Sequence, residues 1–168
     1  MGSSYSYGKQ EVKKWIEESF HEGCSVLDVG CGEGIWSDML KPRYKIDGVE
    51  IFKPYVLEHD LKSKYRNLYI CDVEDVLYDH YDLVIFGDVI EHMSIHKAQK
   101  VLEYAKKHSF DHIVAVPWLY KQGPINGNEL ERHVQDDLTL EIFNDRYPGY
   151  SPIWTTNNYA YFNYTSIS

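Results

Sequence analysis

Three glycines at alternate positions follow a short apolar run near the start of the chain. Residues 26–34 read Val-Leu-Asp-Val-Gly-Cys-Gly-Glu-Gly, and a helix-like pattern begins directly after them. Glycine tolerates the positive φ angles of such a turn, and its backbone can approach a ligand closely because it has no Cβ. Many glycine turns bind nothing, but Asp28 stands where a purely structural strand continues apolar. The segment therefore predicts a strand, a turn and a helix N-terminus that together face a ligand.

The rest of the chain alternates between strand-like and helix-like segments. Strands are expected near residues 24–29, 45–50, 67–71, 82–87 and 112–117. Helices are expected near residues 9–21, 34–40, 53–61, 94–108 and 137–146, whereas residues 72–81 are too polar and short for a long helix. Such alternation is typical of an α/β fold with parallel strands and right-handed crossovers. Two aromatic runs around Asn157-Asn158, between Tyr150 and Ser166, predict a closing antiparallel hairpin.

Composition limits the classes of partner. With 168 residues, of which 43% are hydrophobic, the chain is expected to form a single domain. Its formal net charge of -9 disfavours nucleic acid as a partner, because binding to phosphates needs clustered Lys and Arg. No apolar stretch is long enough for a membrane span, and no signal-peptide core is present. The cysteines form no C-x-x-C pair, so we expect reduced thiols and a cytoplasmic protein.

Four segments, in chain order, resemble the motifs of class I S-adenosylmethionine-dependent methyltransferases. They are residues 28–34, 47–50, 69–73 and 81–92, and the resemblance covers residues 24–118. It implies S-adenosylmethionine (SAM) as the cofactor. It also implies a Rossmann-like three-layer α/β sandwich with a mostly parallel sheet and a C-terminal antiparallel hairpin. The single domain, residues 1–168, then comprises an N-terminal helix (1–22), a cofactor-binding core (23–117) and an acceptor-side loop, helix and hairpin (118–168).

The resemblance assigns cofactor contacts to residues near the ends of the strands. Glu50 corresponds to the acid that holds the ribose hydroxyls, and Asp72 to the acid near the adenine amino group. The alternative is that Glu50 faces solvent and Asp72 only caps a turn. Cys31 is interpreted as a packing residue, because methyl transfer from a sulfonium needs no covalent enzyme intermediate. The expected cofactor-binding residues are Asp28, Gly30, Cys31, Gly32, Glu50, Ile51, Asp72, Val73, Gly87 and Asp88.

A cluster of acids and histidine follows the fourth predicted strand. At helical spacing Asp88, Glu91 and His92 project to one side, where they could hold a divalent cation, Mg or Mn rather than zinc. The segment resembles the acid-x-x-Glu-His element of methyltransferases that modify ubiquinone precursors or the 2′-hydroxyl of small RNAs. Those enzymes bind a metal through it, and the RNA enzymes add a later histidine, a part that His133 could play. The alternative is a metal-free site in which His92 packs over the cofactor.

The acceptor is expected to be a hydroxyl compound, with a carbohydrate favoured. A hydroxyl must lose its proton, so His92 and His133 are the candidate catalytic residues. N-methylation is disfavoured because no Asn-Pro-Pro-Tyr-like element follows the fourth strand. A quinone or phenol, an RNA 2′-hydroxyl, and an inactive cofactor-binding partner subunit remain alternatives. Five aromatic residues are expected either to roof the acceptor or to pack within the hairpin: Trp118, Tyr120, Trp154, Tyr159 and Tyr161.

Overall fold

The computed structural model describes residues 8–77, 81–108 and 111–165. Within these ranges the strands are β1 (Ser25–Val29), β2 (Lys45–Val49), β3 (Leu68–Tyr69), β4 (Leu83–Gly87), β5 (Asp111–Pro117), β6 (Ser151–Thr155) and β7 (Tyr159–Thr165). The helices are α1 (Lys9–Ser19), α2 (Ile35–Leu40), α3 (Lys53–Glu58), α4 (Leu61–Lys64), α5 (Ile95–His108) and α6 (Leu140–Arg146). Short 3-10 turns occupy Val73–Asp75, Ile90–His92 and Glu129–Glu131.

The seven strands form one sheet in the order β3-β2-β1-β4-β5-β7-β6. Strands β1 to β5 are parallel, and β7 lies antiparallel between β5 and β6. The predicted Rossmann-like α/β fold with a C-terminal antiparallel hairpin is therefore confirmed. The strand order reverses between β1 and β4, where Val29 pairs with Phe86. Ligands of such sheets bind beyond the carboxyl ends of the strands at this reversal.

Apolar cores on both faces of the sheet explain why its strands are apolar almost throughout. On one face, Phe86 packs in a cluster with Leu102 of α5 and Phe143 of α6. On the other face, Ile85 packs in a cluster with Val12 and neighbouring residues of α1. The helices thus form two outer layers, and the carboxyl ends of the strands are left at one edge to form a site.

Some predicted elements differ from the structure, among them the helix expected at 137–146, which begins at Leu140. The helix expected at 53–61 is divided into α3 and α4, because Asp60 takes a left-handed conformation with φ of 48°. The strand expected at 67–71 pairs only over Leu68–Tyr69. Residues 1–7 of the N-terminal segment, residues 78–80 of the polar crossover and Ser166 of the hairpin lie outside the described residues. No described helix is both long and apolar enough to cross a membrane.

Candidate active site

The glycine-rich turn after β1 is fixed to the end of β2. The N–H groups of Gly30 and Cys31 donate to the Val49 carbonyl at 2.9 and 3.0 Å. Gly30 has φ of 66°, and a Cβ at this position would lie 2.5 Å from Val89 Cγ2. Gly32 has φ of 48°, and its missing Cβ would face open space apart from a backbone oxygen at 3.8 Å. The turn therefore leaves room for a ligand to approach the backbone at Gly32.

A cavity of about 410 Å³ lies beyond the carboxyl ends of the strands. It is bordered by the glycine turn, by the segments after β2, β3 and β4, and by the loop that carries His133. The residues that were expected to bind a cofactor all line it, and so do Glu91, His92 and His133. One site therefore brings together every predicted functional residue.

Glu50 is a buried acid at the wall of this cavity, 5% exposed. Its Oε2 accepts from the Gly32 N–H at 3.0 Å and its Oε1 accepts from the Phe52 N–H at 2.7 Å. Burial raises the pKa of Glu50, although these backbone donors partly counteract the effect. The carboxylate is thus held in one orientation, and each oxygen keeps a second lone pair for a ligand.

Asp72 caps a turn and also lines the cavity. Its carboxylate accepts from the Glu74 N–H at 3.1 Å and pairs with Lys97 Nζ at 2.5 Å. Burial acts to raise the pKa of Asp72, but the Lys97 hydrogen bond and the backbone donors leave that pKa below its ordinary value. Asp72 therefore caps a turn, and its position in the cavity wall leaves the predicted adenine contact open.

Asp28 and Cys31 are buried and line the cavity. Asp28 is 2% exposed and accepts from the Tyr65 hydroxyl at 2.6 Å. Burial raises the pKa of Asp28 to about 7. Burial and the neighbouring acids also raise the pKa of the Cys31 thiol far above its ordinary value. A thiol in this state is a poor nucleophile, in keeping with a packing role for Cys31.

Glu91, His92 and His133 converge beyond the end of β4. Each offers one ligand atom, and these atoms lie within 4.8 Å of one another. Glu91 is 1% exposed, and neither of its carboxylate oxygens has a hydrogen-bond partner in the structure. Burial, together with the charge of Asp88, raises the pKa of Glu91 well above its usual range. A buried carboxyl group without partners is costly, so a cation or a hydrogen-bond donor at this point would stabilise it.

Backbone carbonyls set the tautomers of both histidines. Nδ1 of His92 lies 3.2 Å from the Arg132 carbonyl, and Nδ1 of His133 lies 2.8 Å from the Tyr120 carbonyl. Because a carbonyl oxygen only accepts, each Nδ1 carries the hydrogen and each neutral ring keeps a lone pair on Nε2. Burial, and to a lesser extent His92, lowers the pKa of His133. Both rings can therefore act as bases or ligands through Nε2.

Gln135, which the sequence analysis did not single out, fixes the His133 loop against the turn after β4. Its amide nitrogen donates to the Ile90 carbonyl at 2.8 Å and to the Met93 carbonyl at 3.1 Å. Its amide oxygen accepts from the Tyr147 hydroxyl at 2.7 Å. The backbone N–H of Gln135 also donates to the Glu91 carbonyl at 3.0 Å. No periodicity marks this residue, because its partners come from distant segments.

The structure corrects the expected geometry of Asp88. Its φ of 56° breaks the helical spacing that was to align it with Glu91 and His92. Its carboxylate accepts from the Tyr159 hydroxyl, and Asp88 is not part of the group of ligand atoms. The remaining donors are one carboxylate and two imidazoles. The preference for Mg or Mn over zinc, which assumed two carboxylates, therefore loses its basis.

The aromatic residues divide between the cavity and the core. Tyr120 lines the cavity, and Trp118 packs against the core cluster that contains Phe86. The other three belong to or pack on the opposite core cluster: Trp154, Tyr159 and Tyr161. The predicted aromatic roof is therefore mostly a packed hairpin, the alternative that the sequence left open.

A buried lysine in the cavity was also not predicted from the sequence. Lys9 begins α1, is 4% exposed and lines the cavity. As the first residue of an amphipathic helix it carries no motif, and only the packing of that helix shows where the side chain lies.

Comparison with known proteins gives a family model and related folds. A model described as a methyltransferase domain matches residues 6–111. No curated protein matches the chain. Magnesium protoporphyrin IX methyltransferase from Synechocystis PCC 6803, solved with bound SAM, is 17% identical, with a TM-score of 0.63 over 94% of this chain and 77% of that one.

Two further solved structures are similar. The 1,6-didemethyltoxoflavin-N1-methyltransferase of Burkholderia thailandensis is 12% identical, with a TM-score of 0.68 over 97% of this chain and 79% of that one. The N-terminal domain of EvdMO1, solved in the presence of S-adenosylhomocysteine (SAH) and D-fucose, is 14% identical. Its TM-score is 0.67 over 97% of this chain and 85% of that one. At these identities the likeness establishes the fold.

Proposed function

The chain belongs to the methyltransferase-domain family, and on this premise we propose that it transfers the methyl group of SAM to a hydroxyl group of a small polar acceptor, with a carbohydrate as the first choice. The observation that carries the choice of a hydroxyl is the convergence of the partnerless Glu91 carboxylate with the imidazoles of His92 and His133. These groups can take a proton or hold a metal, and a hydroxyl acceptor requires one or the other.

The cofactor is held along the carboxyl ends of the strands. Glu50, fixed by its backbone donors, accepts the two ribose hydroxyls, and Asp72 accepts from the adenine amino group. The turn at Gly30, Cys31 and Gly32 allows the ligand to approach the backbone. Ile51 and Val73 provide apolar contacts to the adenosine. The opposite end, with Asp28, Gly87 and Asp88, receives the sulfonium and the methionine tail. Opposite charge favours a sulfonium beside these carboxyl groups.

The transfer itself is a displacement in which positioning supplies much of the rate. The acceptor oxygen forms a bond to the methyl carbon as the bond from that carbon to sulfur breaks, and SAH is released. The acceptor proton passes to Nε2 of His133, whose Nδ1–H is fixed on the Tyr120 carbonyl. His92, held in the same manner on the Arg132 carbonyl, contributes a second lone pair on Nε2.

A divalent metal fits the same residues. The fit rests on Glu91, whose buried oxygens have no partner and lie beside two imidazole donors. Glu91, His92 and His133 would hold the ion, with Nε2 of His133 then a ligand instead of the base, and Asp88 would not take part. Two imidazoles with one carboxylate suit Mn, Fe, Co or Zn better than Mg. When bound, such an ion lowers the pKa of a coordinated hydroxyl.

The polarity of the cavity favours a neutral polyhydroxyl acceptor. Its acceptor side is lined by amide and acidic side chains, among them Gln122, Asn126 and Glu131. The lining lysines among the described residues are Lys9 and Lys97, both near the cofactor-binding strands. RNA and phosphorylated acceptors are disfavoured, because phosphate binding needs Lys and Arg near the acceptor.

The cysteines are free thiols, which supports a cytoplasmic location.

An acceptor screen with methyl-labelled SAM tests this function. Sugars, phenols with quinols, and short RNAs are supplied with and without Mn²⁺, and labelled products are identified by mass spectrometry. We expect label on a sugar hydroxyl. Turnover on RNA or phenols but not on sugars would overturn the carbohydrate choice. SAM binding without turnover on any acceptor would favour the inactive partner subunit. Undetectable SAH binding to the folded protein would refute the cofactor.

A further inference from the structure

Lys9 is a lysine buried inside the candidate site, and the proposed chemistry does not use it. Its Nζ donates to the Tyr161 hydroxyl at 3.3 Å and lies 5.7 Å from the centroid of the Trp36 ring. It lines the same cavity as Gly30 and Asp88. Removing an ammonium group from water is costly unless negative or polar groups surround it. Its position therefore needs a physical reason.

The electrostatic surroundings supply part of that reason. Burial lowers the pKa of Lys9, whereas the carboxylates of Asp88, Asp28 and Glu33 raise it. Lys97, the other lining lysine among the described residues, belongs to α5 and pairs at 2.5 Å with Asp72, which follows β3. Lys9 thus provides positive charge at the β1–β4 end of the cavity, where the acids otherwise dominate.

The inference rests on the proposed function, which puts the methionine tail of SAM at this same end. That tail carries an α-ammonium group, which Asp28 and Asp88 can attract, and an α-carboxylate, which they repel. We infer that Lys9 binds the α-carboxylate of SAM, so that α1 is a part of the cofactor site as well as a packing element. The acids and the lysine together match both charges of the tail.

The start of α1 is built to bring Lys9 into the cavity. Gly8 has φ of 75°, and a Cβ there would lie 2.4 Å from Cε3 of Trp154, so only glycine fits against that ring. One and two turns further on, Val12 and Ile16 are fully buried in the core. These contacts hold the first turn of α1 between β6 and the cavity, and they orient Lys9 before any ligand binds.

Two ligands that differ only in the α-carboxylate test this inference. Binding of SAM and of decarboxylated SAM is measured by calorimetry without acceptor, for the wild type, Lys9→Met and Lys9→Arg. Lys13→Met is the matched control, since Lys13 lies on the same helix and pairs with Glu17 instead. Thermal unfolding and circular dichroism establish that each variant is folded.

We expect the wild type and Lys13→Met to bind SAM about 10- to 100-fold more tightly than decarboxylated SAM. Lys9→Met should bind the two ligands within about threefold of each other, and Lys9→Arg should retain a preference for SAM. Equal binding of both ligands by the wild type would overturn the role of Lys9 and leave the proposed function standing. An unchanged preference in folded Lys9→Met would do the same. If the wild type binds neither ligand, the proposed function fails, and this inference fails with it.

Discussion

The Tyr65 hydroxyl donates a 2.6 Å hydrogen bond to the carboxyl group of Asp28, and both side chains are buried. Tyr65 follows α4 and Asp28 lies in β1, so the bond joins a helix layer to the sheet at the edge of the cavity. Burial raises the pKa of Asp28 to about 7, and the hydrogen bond from Tyr65 only partly opposes that rise. The folded protein therefore holds a proton on Asp28 at pH values where the unfolded chain has released it.

This relationship predicts a pH effect on stability. Between the ordinary Asp value near 4 and about 7 the folded state binds the proton and the unfolded state does not, so Asp28 contributes stability that is lost as pH rises through this window. In Asp28→Asn the free energy of unfolding should lose this decline with rising pH. Urea unfolding of the ligand-free protein from pH 4 to 8 measures it. A slope equal to that of the wild type would contradict the assignment.

His112 should change the free energy of unfolding with pH in the opposite direction to Asp28. It is fully buried on β5, with Nε2 2.6 Å from the Tyr150 hydroxyl, and burial lowers its pKa to about 3. Between about 3 and 6.5 the unfolded state binds the proton and the folded state does not, so stability falls as pH falls, by roughly 1 kcal/mol per pH unit.

The same unfolding series checks this prediction with His112→Gln, and His96→Gln on the exposed face of α5 serves as the control. His112→Gln should lose the fall at acid pH, whereas His96→Gln should keep it. Because the Asp28 and His112 effects have opposite signs between about pH 4 and 6.5, they partly cancel in the wild type. Each slope should therefore be clearest in the variant that lacks the other group.

Glu50→Ala should weaken SAH binding about 100-fold or more, since hydrogen bonds to a charged group contribute about 1.5–3 kcal/mol each. The variant also removes the acceptor of the Gly32 and Phe52 N–H groups, which holds the glycine turn in place. Calorimetry measures the affinity. Glu22→Ala, exposed and outside the cavity, should bind as the wild type does. An affinity for Glu50→Ala within about threefold of the wild type would exclude a ribose contact.

His133→Ala should lower kcat by roughly 10²–10⁴-fold, because the acceptor hydroxyl loses its base or metal ligand. SAM affinity should stay within about threefold, since the cofactor contacts lie on the strand ends. Single-turnover kinetics with the acceptor found in the screen separate these two quantities. His96→Ala, which changes an exposed histidine, is the control. Full activity of His133→Ala would reduce this residue to a structural role.

Metal binding should depend on Glu91 and not on Asp88. Addition of Mn²⁺ or Zn²⁺ should raise the Tm of the wild type and of Asp88→Asn, because the ligand atoms of Glu91, His92 and His133 remain together. Glu91→Gln should lose this rise, because its affinity for the metal should fall at least about 10-fold. A rise that is lost in Asp88→Asn as well as in Glu91→Gln would restore the two-carboxylate arrangement. A rise that survives in Glu91→Gln would exclude Glu91 as a ligand. No rise in the wild type would argue for a metal-free base.

Local patterns were sufficient to predict that the acids at the strand ends share one cavity. Asp28, Glu50 and Asp72 each lie in or beside a strand, and consecutive parallel strands bring their carboxyl ends to one edge of a sheet. The order of the motifs along the chain therefore predicted which side chains line one cavity. The same reasoning failed at Asp88, because helical spacing was assumed where a left-handed residue interrupts the backbone.

The acceptor half, and the place of Lys9 in the cofactor half, depended on contacts between segments far apart in the chain. His133 lies near His92 because the segment that follows it, including Gln135, bonds to the turn after β4. Lys9 lies in the cavity because contacts such as that between Gly8 and Trp154 fix the start of α1. The periodicity of a sequence reports which face of an element is apolar, so it predicted the strands and the helices, and the motifs that follow the strands predicted the acids. Which distant polar side chains meet is decided by the packing of loops and of the N-terminal helix, and only the tertiary structure contains that information.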